Sequence, residues 1–217
     1  MALAIFDLDD TLIGGNSPSL WLEHLADIGW LDRESFIPRE QELVALYAAL
    51  QVSLEDYMAF CLQPLVGRSR EEVEYVAGPF VEEFIEPLIH SDGMRAIANH
   101  RAAGDRILVI SASPTFLVQA IAARLGIAEV LATELELQHG HYSGRISGIP
   151  AAREGKIQRL AQWLEAQGEV LSGAHFYSDS RNDLPLLCHV EHPHAVNPDA
   201  ALREHAERQG WEILHWR

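Results

Sequence analysis

Two aspartates, Asp7 and Asp9, stand two residues apart just after a short apolar run near the start of the chain. If that run is a strand, alternate side chains share a face, and the two carboxyls lie about 6–7 Å apart around one reacting centre. Two such acids stay ionised together only beside a cation; otherwise one holds a proton. Either state is chemically useful, the first as nucleophile or metal ligand, the second as general acid. Three other segments carry residue types suited to an anion or a hard cation. Ser111-Ala112-Ser113 offers a small hydroxyl residue and backbone N–H groups ahead of a helix starting near Pro114, which makes an anion cradle or an ordinary helix cap. Lys156 falls in the first turn of a helical stretch, where a cation is electrostatically unfavourable and a bound phosphate would explain it. Asp179, Asn182 and Asp183 follow another apolar run, and carboxylate oxygens there suit a hard cation that keeps some of its water.

These segments need a frame that gathers strand ends. Ala2 to Phe6, Ile107 to Ile110 and His175 to Tyr177 read as short buried strands of a parallel sheet. Val190 to Val196 and Trp211 to Leu214 are further candidates. Helical stretches at 92–103, closed by Gly104, and 154–167, closed by Gly168, separate them. The alternation implies an α/β domain with a mainly parallel sheet flanked by helices, and in such sheets ligands bind beyond the carboxyl ends of the strands. From about 15 to 88 the alternation stops. The stretches 17–28, 32–50, 53–60 and 70–84 all read as helix, with Leu43, Leu46, Tyr47 and Leu50 on one face. This is an inserted all-helical subdomain, with hinges expected at Gly14-Gly15 and Glu86-Pro87. Alternating residues between Glu134 and Ile146 around Gly140 signal a β-hairpin.

The formal net charge of −16 argues against nucleic acid and anionic membrane surfaces as partners. No stretch has the roughly 18 apolar residues of a membrane helix, and the N-terminal residues lack the basic region of a signal peptide. The two cysteines, Cys61 and Cys188, form neither a disulfide framework nor a metal pair, which fits a reducing, cytoplasmic setting. His189, His192 and His194 cluster, but Pro193 interrupts them and no matching acid or cysteine set accompanies them, so no metal site is expected there.

Taken in order, the DxDxT of Asp7, Asp9 and Thr11, then Ser111 after a strand, Lys156 at a helix start, and the acids at 179–183 resemble the haloacid dehalogenase superfamily. The second acid, Asp9, matches its phosphatases and not its dehalogenases. The helical insertion, Ser-Ala-Ser and the Tyr-Ser-Asp-Ser-Arg-Asn-Asp run resemble the branch of phosphoserine and histidinol-phosphate phosphatases, and the likeness spans essentially the whole chain. The resemblance implies a Rossmann-like core of residues 1–14 and 89–217 and a helical cap of 15–88. It also implies a magnesium-dependent hydrolysis of a small phosphate monoester. By similarity Asp7 is the nucleophile that becomes the aspartyl-phosphate, and Asp9 is the acid and then base. Ser111, Ala112, Lys156 and Asn182 bind the phosphoryl group. Mg2+ is held by Asp7, Asp9 through its main-chain carbonyl, and Asp179, with Asp183 supporting it from outside. Asp10 is taken as an outward-facing neighbour. The resemblance leaves monomer or homodimer open.

Between 15 and 90 the acids outnumber the bases fourteen to four, a formal balance of −10. An acidic cap leans towards a cationic leaving group, hence towards L-histidinol phosphate. Phosphoserine is the alternative, and its carboxylate would want an arginine in the cap. The plain reading is that most of these acids solvate helix faces. Trp21, Trp30 and Tyr57 suit either an imidazole or the packing of the cap itself. Transfer of the phosphoryl group to an acceptor other than water, or a non-catalytic phospho-aspartate module, stand as further alternatives.

Overall fold

The computed structural model describes residues 2–217. In chain order the elements are β1 (Leu3–Phe6), α1 (Ser17–Asp27), α2 (Arg33–Ala48), α3 (Leu54–Cys61), α4 (Arg70–Phe80), α5 (Ser91–Ala102), β2 (Arg106–Pro114), α6 (Thr115–Arg124) and β3 (Glu129–Thr133). Then come β4 (Leu135–Gln138), β5 (His141–Ile146), α7 (Glu154–Gln167), β6 (His175–Ser178), α8 (Leu184–Leu187), β7 (His192–Val196), α9 (Ala200–Gln209) and β8 (Glu212–Leu214).

Six strands form one sheet in the order β3-β2-β1-β6-β7-β8, every neighbouring pair parallel. The apolar runs are continuous because helices cover both faces, so neither side of a strand needs polar residues. In β1, Ala4 and Phe6 enter the core on one face, while Leu3 and Ile5 enter the core on the other. In β2, Ile107 and Val109 divide from Leu108 and Ile110 in the same way. From β1 the chain builds outwards through β2 and β3, then crosses to the other side of β1 for β6, β7 and β8. That reversal opens a crevice at the carboxyl end of β1.

The insertion is helical as expected. Asn16, Asp32, Ser53 and Ser69 cap α1 to α4, each accepting from the backbone N–H three residues on. The stretch expected as helix to Phe84 differs at its end: α4 stops at Phe80 and the backbone widens into a π turn over Val81–Ile85. Pro79 removes a ladder donor just before that change. The two chain crossings that join the insertion to the sheet run side by side. Gly14 N–H donates to Leu88 O at 2.8 Å and His90 N–H to Leu12 O at 2.9 Å. A Cβ on Gly14 would meet His90 Cε1 at 3.1 Å, so this close pairing favours glycine.

The hairpin lies apart from the main sheet. His139 and Gly140 form its two-residue turn with φ of 52° and 83°, the paired positive angles of a type I′ turn. It reaches to the insertion: Gly67 N–H donates to Tyr142 O, and Tyr142 N–H to Arg68 O, both at 2.9 Å. The edge strand β3 has no counterpart among the sequence expectations. The strand expected from Val190 begins at His192, and the one expected from Trp211 begins at Glu212. Cys61 is buried and Cys188 exposed, both free.

Candidate active site

A cavity of about 400 Å³ opens at the carboxyl end of β1. Asp7, Asp9, Ser111, Ala112, Lys156, Asp179, Asn182 and Asp183 all line it, so the structure gathers every residue singled out for chemistry around one space. Asp10, exposed and with φ of 54°, is at its margin.

Asp7 is fixed at the end of β1, its N–H donating to Tyr177 O at 2.9 Å. Lys156 Nζ donates to Asp7 Oδ1 at 3.0 Å and to Asp183 Oδ2 at 2.7 Å. The lysine is only 2% exposed, which rules out a solvated surface role. Burial pushes its ammonium down, but Asp183 and Asp7 outweigh that and hold it above the ordinary lysine value. Glycine at 155 makes this placement possible: a Cβ there would fall 2.1 Å from Pro150 O. The loop Ile149-Pro150 thus lies directly on the first turn of α7.

Asp9 accepts from Ser17 N–H at the start of the insertion and from Ser113 Oγ near the carboxyl end of β2, which runs on through the Ser-Ala-Ser segment to Pro114, both at 2.6 Å. Burial raises its carboxyl above the ordinary value, against the pull of Ser113 and Ser17. A carboxyl that keeps its proton more readily is suited to donating one. Ser111 is buried, its Oγ accepting from Ser113 N–H at 3.2 Å, so its own hydroxyl hydrogen remains for the cavity. Asp183 also accepts from Ser178 Oγ at 2.7 Å. Thr11 Oγ1 donates to Asp179 Oδ1 at 2.8 Å and accepts from Asp179 N–H at 3.0 Å, tying the first acidic segment to the last.

Burial also pushes Asp7 well up, against Lys156, with Asp183 and Asp179 adding to the rise. Asp179 is pushed up to about 8 by burial, resisted by the Thr11 hydrogen bond and reinforced by Asp10 and Asp183. The site is therefore short of positive charge, and its donors are oxygens, which fits a hard divalent cation. Among the described residues no group of three His, Cys, Asp or Glu side chains is arranged to hold a metal. Asp7 and Asp179 are cavity-lining carboxylates whose oxygens are available to such a cation.

The wall supplied by the insertion is different in kind. Asn16, Pro18, Val44, Tyr47, Ala48, Leu54, Tyr57 and Met58 line it. Among the described residues none of the fourteen acids between 15 and 90 does. The expectation that an acidic cap meets a cationic substrate is thereby corrected: a charge count cannot tell which helix face its acids occupy. Glu40 is buried, but behind the wall, accepting from Tyr57 Oη at 2.9 Å and Ser19 Oγ at 2.7 Å. Tyr47 and Tyr57 stack with centroids 5.7 Å apart. Trp21 packs edge-on against Phe80 and Phe116, and Trp30 lies under Arg68, so both belong to packing.

Sequence reasoning gave no role to Thr11, Ser113 or Ser178, although all three stand inside the motifs it used. It also passed over Arg153, which lines the cavity and whose only signal was its nearness to Lys156.

Residues 4–187 match the family model described as haloacid dehalogenase-like hydrolase. The chain is 38% identical to a histidinol-phosphatase of Neisseria meningitidis serogroup C (strain 8013), over 99% of each chain. It is 34% identical to a phosphoserine phosphatase of Mycobacterium tuberculosis (strain ATCC 25618 / H37Rv), over 100% of this chain and 71% of that one. Among solved structures, a protein of unknown function from Bordetella pertussis Tohama I superposes with a TM-score of 0.91 at 35% identity, covering 98% of this chain and 97% of the other.

Proposed function

The chain belongs to the haloacid dehalogenase-like hydrolases and is a phosphoric monoester hydrolase, and on that footing we propose that it acts through an aspartyl-phosphate on Asp7, with L-histidinol phosphate as substrate. In the first half-reaction a carboxylate oxygen of Asp7 attacks phosphorus, the bond from phosphorus to the leaving oxygen breaks, and Asp9 gives that oxygen its proton. In the second, Asp9 takes a proton from water as the water attacks the aspartyl-phosphate, releasing inorganic phosphate and restoring Asp7. The hydrogen bonds from Ser17 and Ser113 aim Asp9 for both transfers. Ser111, the Ala112 N–H, Lys156 and Asn182 receive phosphoryl oxygens where negative charge develops. Asp7 and Asp179, with the Asp9 carbonyl, would hold magnesium, which when bound supplies positive charge against the phosphoryl oxygens. Asp183 supports this set through Lys156. The helical insertion, residues 15–88, acts as the cap that covers the reacting group.

One observation carries the choice of substrate: the insertion presents the stacked pair Tyr47 and Tyr57 and an apolar lining, with no charged residue of its own in the cavity. That wall suits a flat imidazole and offers no cap arginine to a carboxylate. The full-length likeness to a histidinol-phosphatase supports the same reading. Phosphoserine is the second reading, favoured by Arg153, a guanidinium in the cavity wall.

Phosphate release with magnesium, scored as kcat/KM over a panel of histidinol phosphate, phosphoserine, phosphoethanolamine, glycerol phosphate and sugar phosphates, tests the proposal. Histidinol phosphate should exceed the others by at least about tenfold, the discrimination a shaped apolar pocket gives. A preference for phosphoserine would keep the mechanism and overturn the substrate. Repeating the assay with alcohol acceptors separates hydrolysis from phosphoryl transfer.

A further inference from the structure

Arg153 has an unusual setting. Its φ of 51° and ψ of −126° place a non-glycine residue in a left-handed region, which persists only where its surroundings over-determine it. Its Nε donates to Asn182 Oδ1 at 3.3 Å, and its guanidinium carbon lies 5.2 Å from the centroid of the Tyr47 ring. Its Nη2 is buried without a hydrogen-bond partner. A buried guanidinium N–H left unpaired costs stability, so its retention beside a cavity points to a partner that arrives from outside. The other lining cation, Lys156, is already shared between Asp7 and Asp183 before any substrate enters. A phosphate dianion brings further negative charge to a space lined by six aspartates.

We propose that Arg153 is a second phosphoryl-binding cation, its Nη2 donating to a non-bridging oxygen of the substrate phosphate while its Nε stays on Asn182. This rests on the phosphatase reading but not on the identity of the substrate. Arg153 touches the insertion through Tyr47 and the core through Asn182, so the same hydrogen bond makes phosphate binding favour the arrangement in which the two are in contact.

The test is R153Q, with inorganic phosphate titrated calorimetrically into the magnesium-supplemented protein, and kcat/KM for histidinol phosphate, phosphoserine and p-nitrophenyl phosphate. Loss of one charge-assisted hydrogen bond should raise the phosphate Kd by about 10- to 100-fold. It should lower kcat/KM by a similar factor on all three esters, with the melting temperature held within about 3 °C. R153K, which keeps the charge but not the fork, should recover part of the loss, and it serves as the variant to read if R153Q does not fold. An unchanged phosphate Kd overturns the proposal. A loss confined to phosphoserine also overturns it, because the guanidinium would then be reading a leaving-group carboxylate. If the wild-type protein hydrolyses none of the esters, the phosphatase reading fails, and the phosphate titration separately decides whether Arg153 binds a phosphate.

Discussion

Asp7 and Asp9 share a segment but not an environment: one is held by an ammonium, the other by a hydroxyl and a backbone N–H. In the proposed mechanism that difference would let neighbouring carboxyls take different parts in one reaction. Asp7→Asn preserves shape and a hydrogen-bond acceptor for Lys156 but removes the proposed nucleophile. Turnover should fall by at least about 10³-fold. The melting temperature should not fall, since a buried carboxylate pushed above its ordinary value is being replaced by a neutral group. Wild-type turnover in this variant, measured as phosphate release, would end the aspartyl-phosphate mechanism. Thr11 makes two bonds with Asp179 and is fully buried. Thr11→Val keeps its volume and leaves both partners unmet, which should cost about 1–3 kcal/mol by denaturant unfolding. The magnesium concentration for half-maximal activity should rise in the same variant, because Asp179 loses the hydroxyl that orients it.

At the scale of elements, α7 is set by a close approach and not by a cap: Arg153 at its N-cap position makes no side-chain capping bond, and Gly155 lies against Pro150 O. Gly155→Ala should force the loop or the first turn to move, taking Lys156 with it. We expect a loss of about 1–3 kcal/mol, a fall of several degrees in melting temperature, and a drop in kcat/KM larger than the stability change alone explains. The strands and helices nearest the site were readable because each is a short apolar run or an amphipathic stretch bounded by glycine. Their chemistry was readable because acids, hydroxyls and a lysine fall just after those runs. β3 was not: Glu129 and Thr133 bound three apolar residues too short to distinguish from a turn, and only pairing with β2 makes them a strand. The acidity of the insertion was legible as a number and misleading as a location, since which helix face meets the cavity is settled by packing. Arg153 carried no periodicity or motif of its own, and its unpaired nitrogen is visible only in three dimensions.

Across the whole molecule, aromatic and imidazole rings line the outer half of the sheet on one face. His175 stacks on His192 with centroids 4.4 Å apart, its Nδ1 lies 3.0 Å from His194 Nε2 with the two rings nearly coplanar, and His194 stacks on Tyr177 at 4.2 Å. His175 is pushed down to about 4 by burial, with His100, His194 and His192 adding and Asp105 opposing. Between about pH 4 and pH 6.5 the unfolded chain therefore binds a proton at this residue that the folded chain does not, and stability falls as pH falls through that window. His175→Gln should flatten this part of the slope, read as the difference between variant and wild-type melting temperatures at pH 7.5 and pH 5. The buried acids of the cavity titrate in both proteins and cancel in that difference. A separate consequence follows from the paired crossings at Leu12–Gly14 and Leu88–His90. Because the two ends of the insertion are hydrogen-bonded neighbours, a short turn would close the chain there without disturbing the order of the six-stranded sheet. A different segment could therefore be spliced in at this one spot without rethreading the sheet. Any incoming module must also offer a strand-like edge to the hairpin, since residues 67–70 now occupy it.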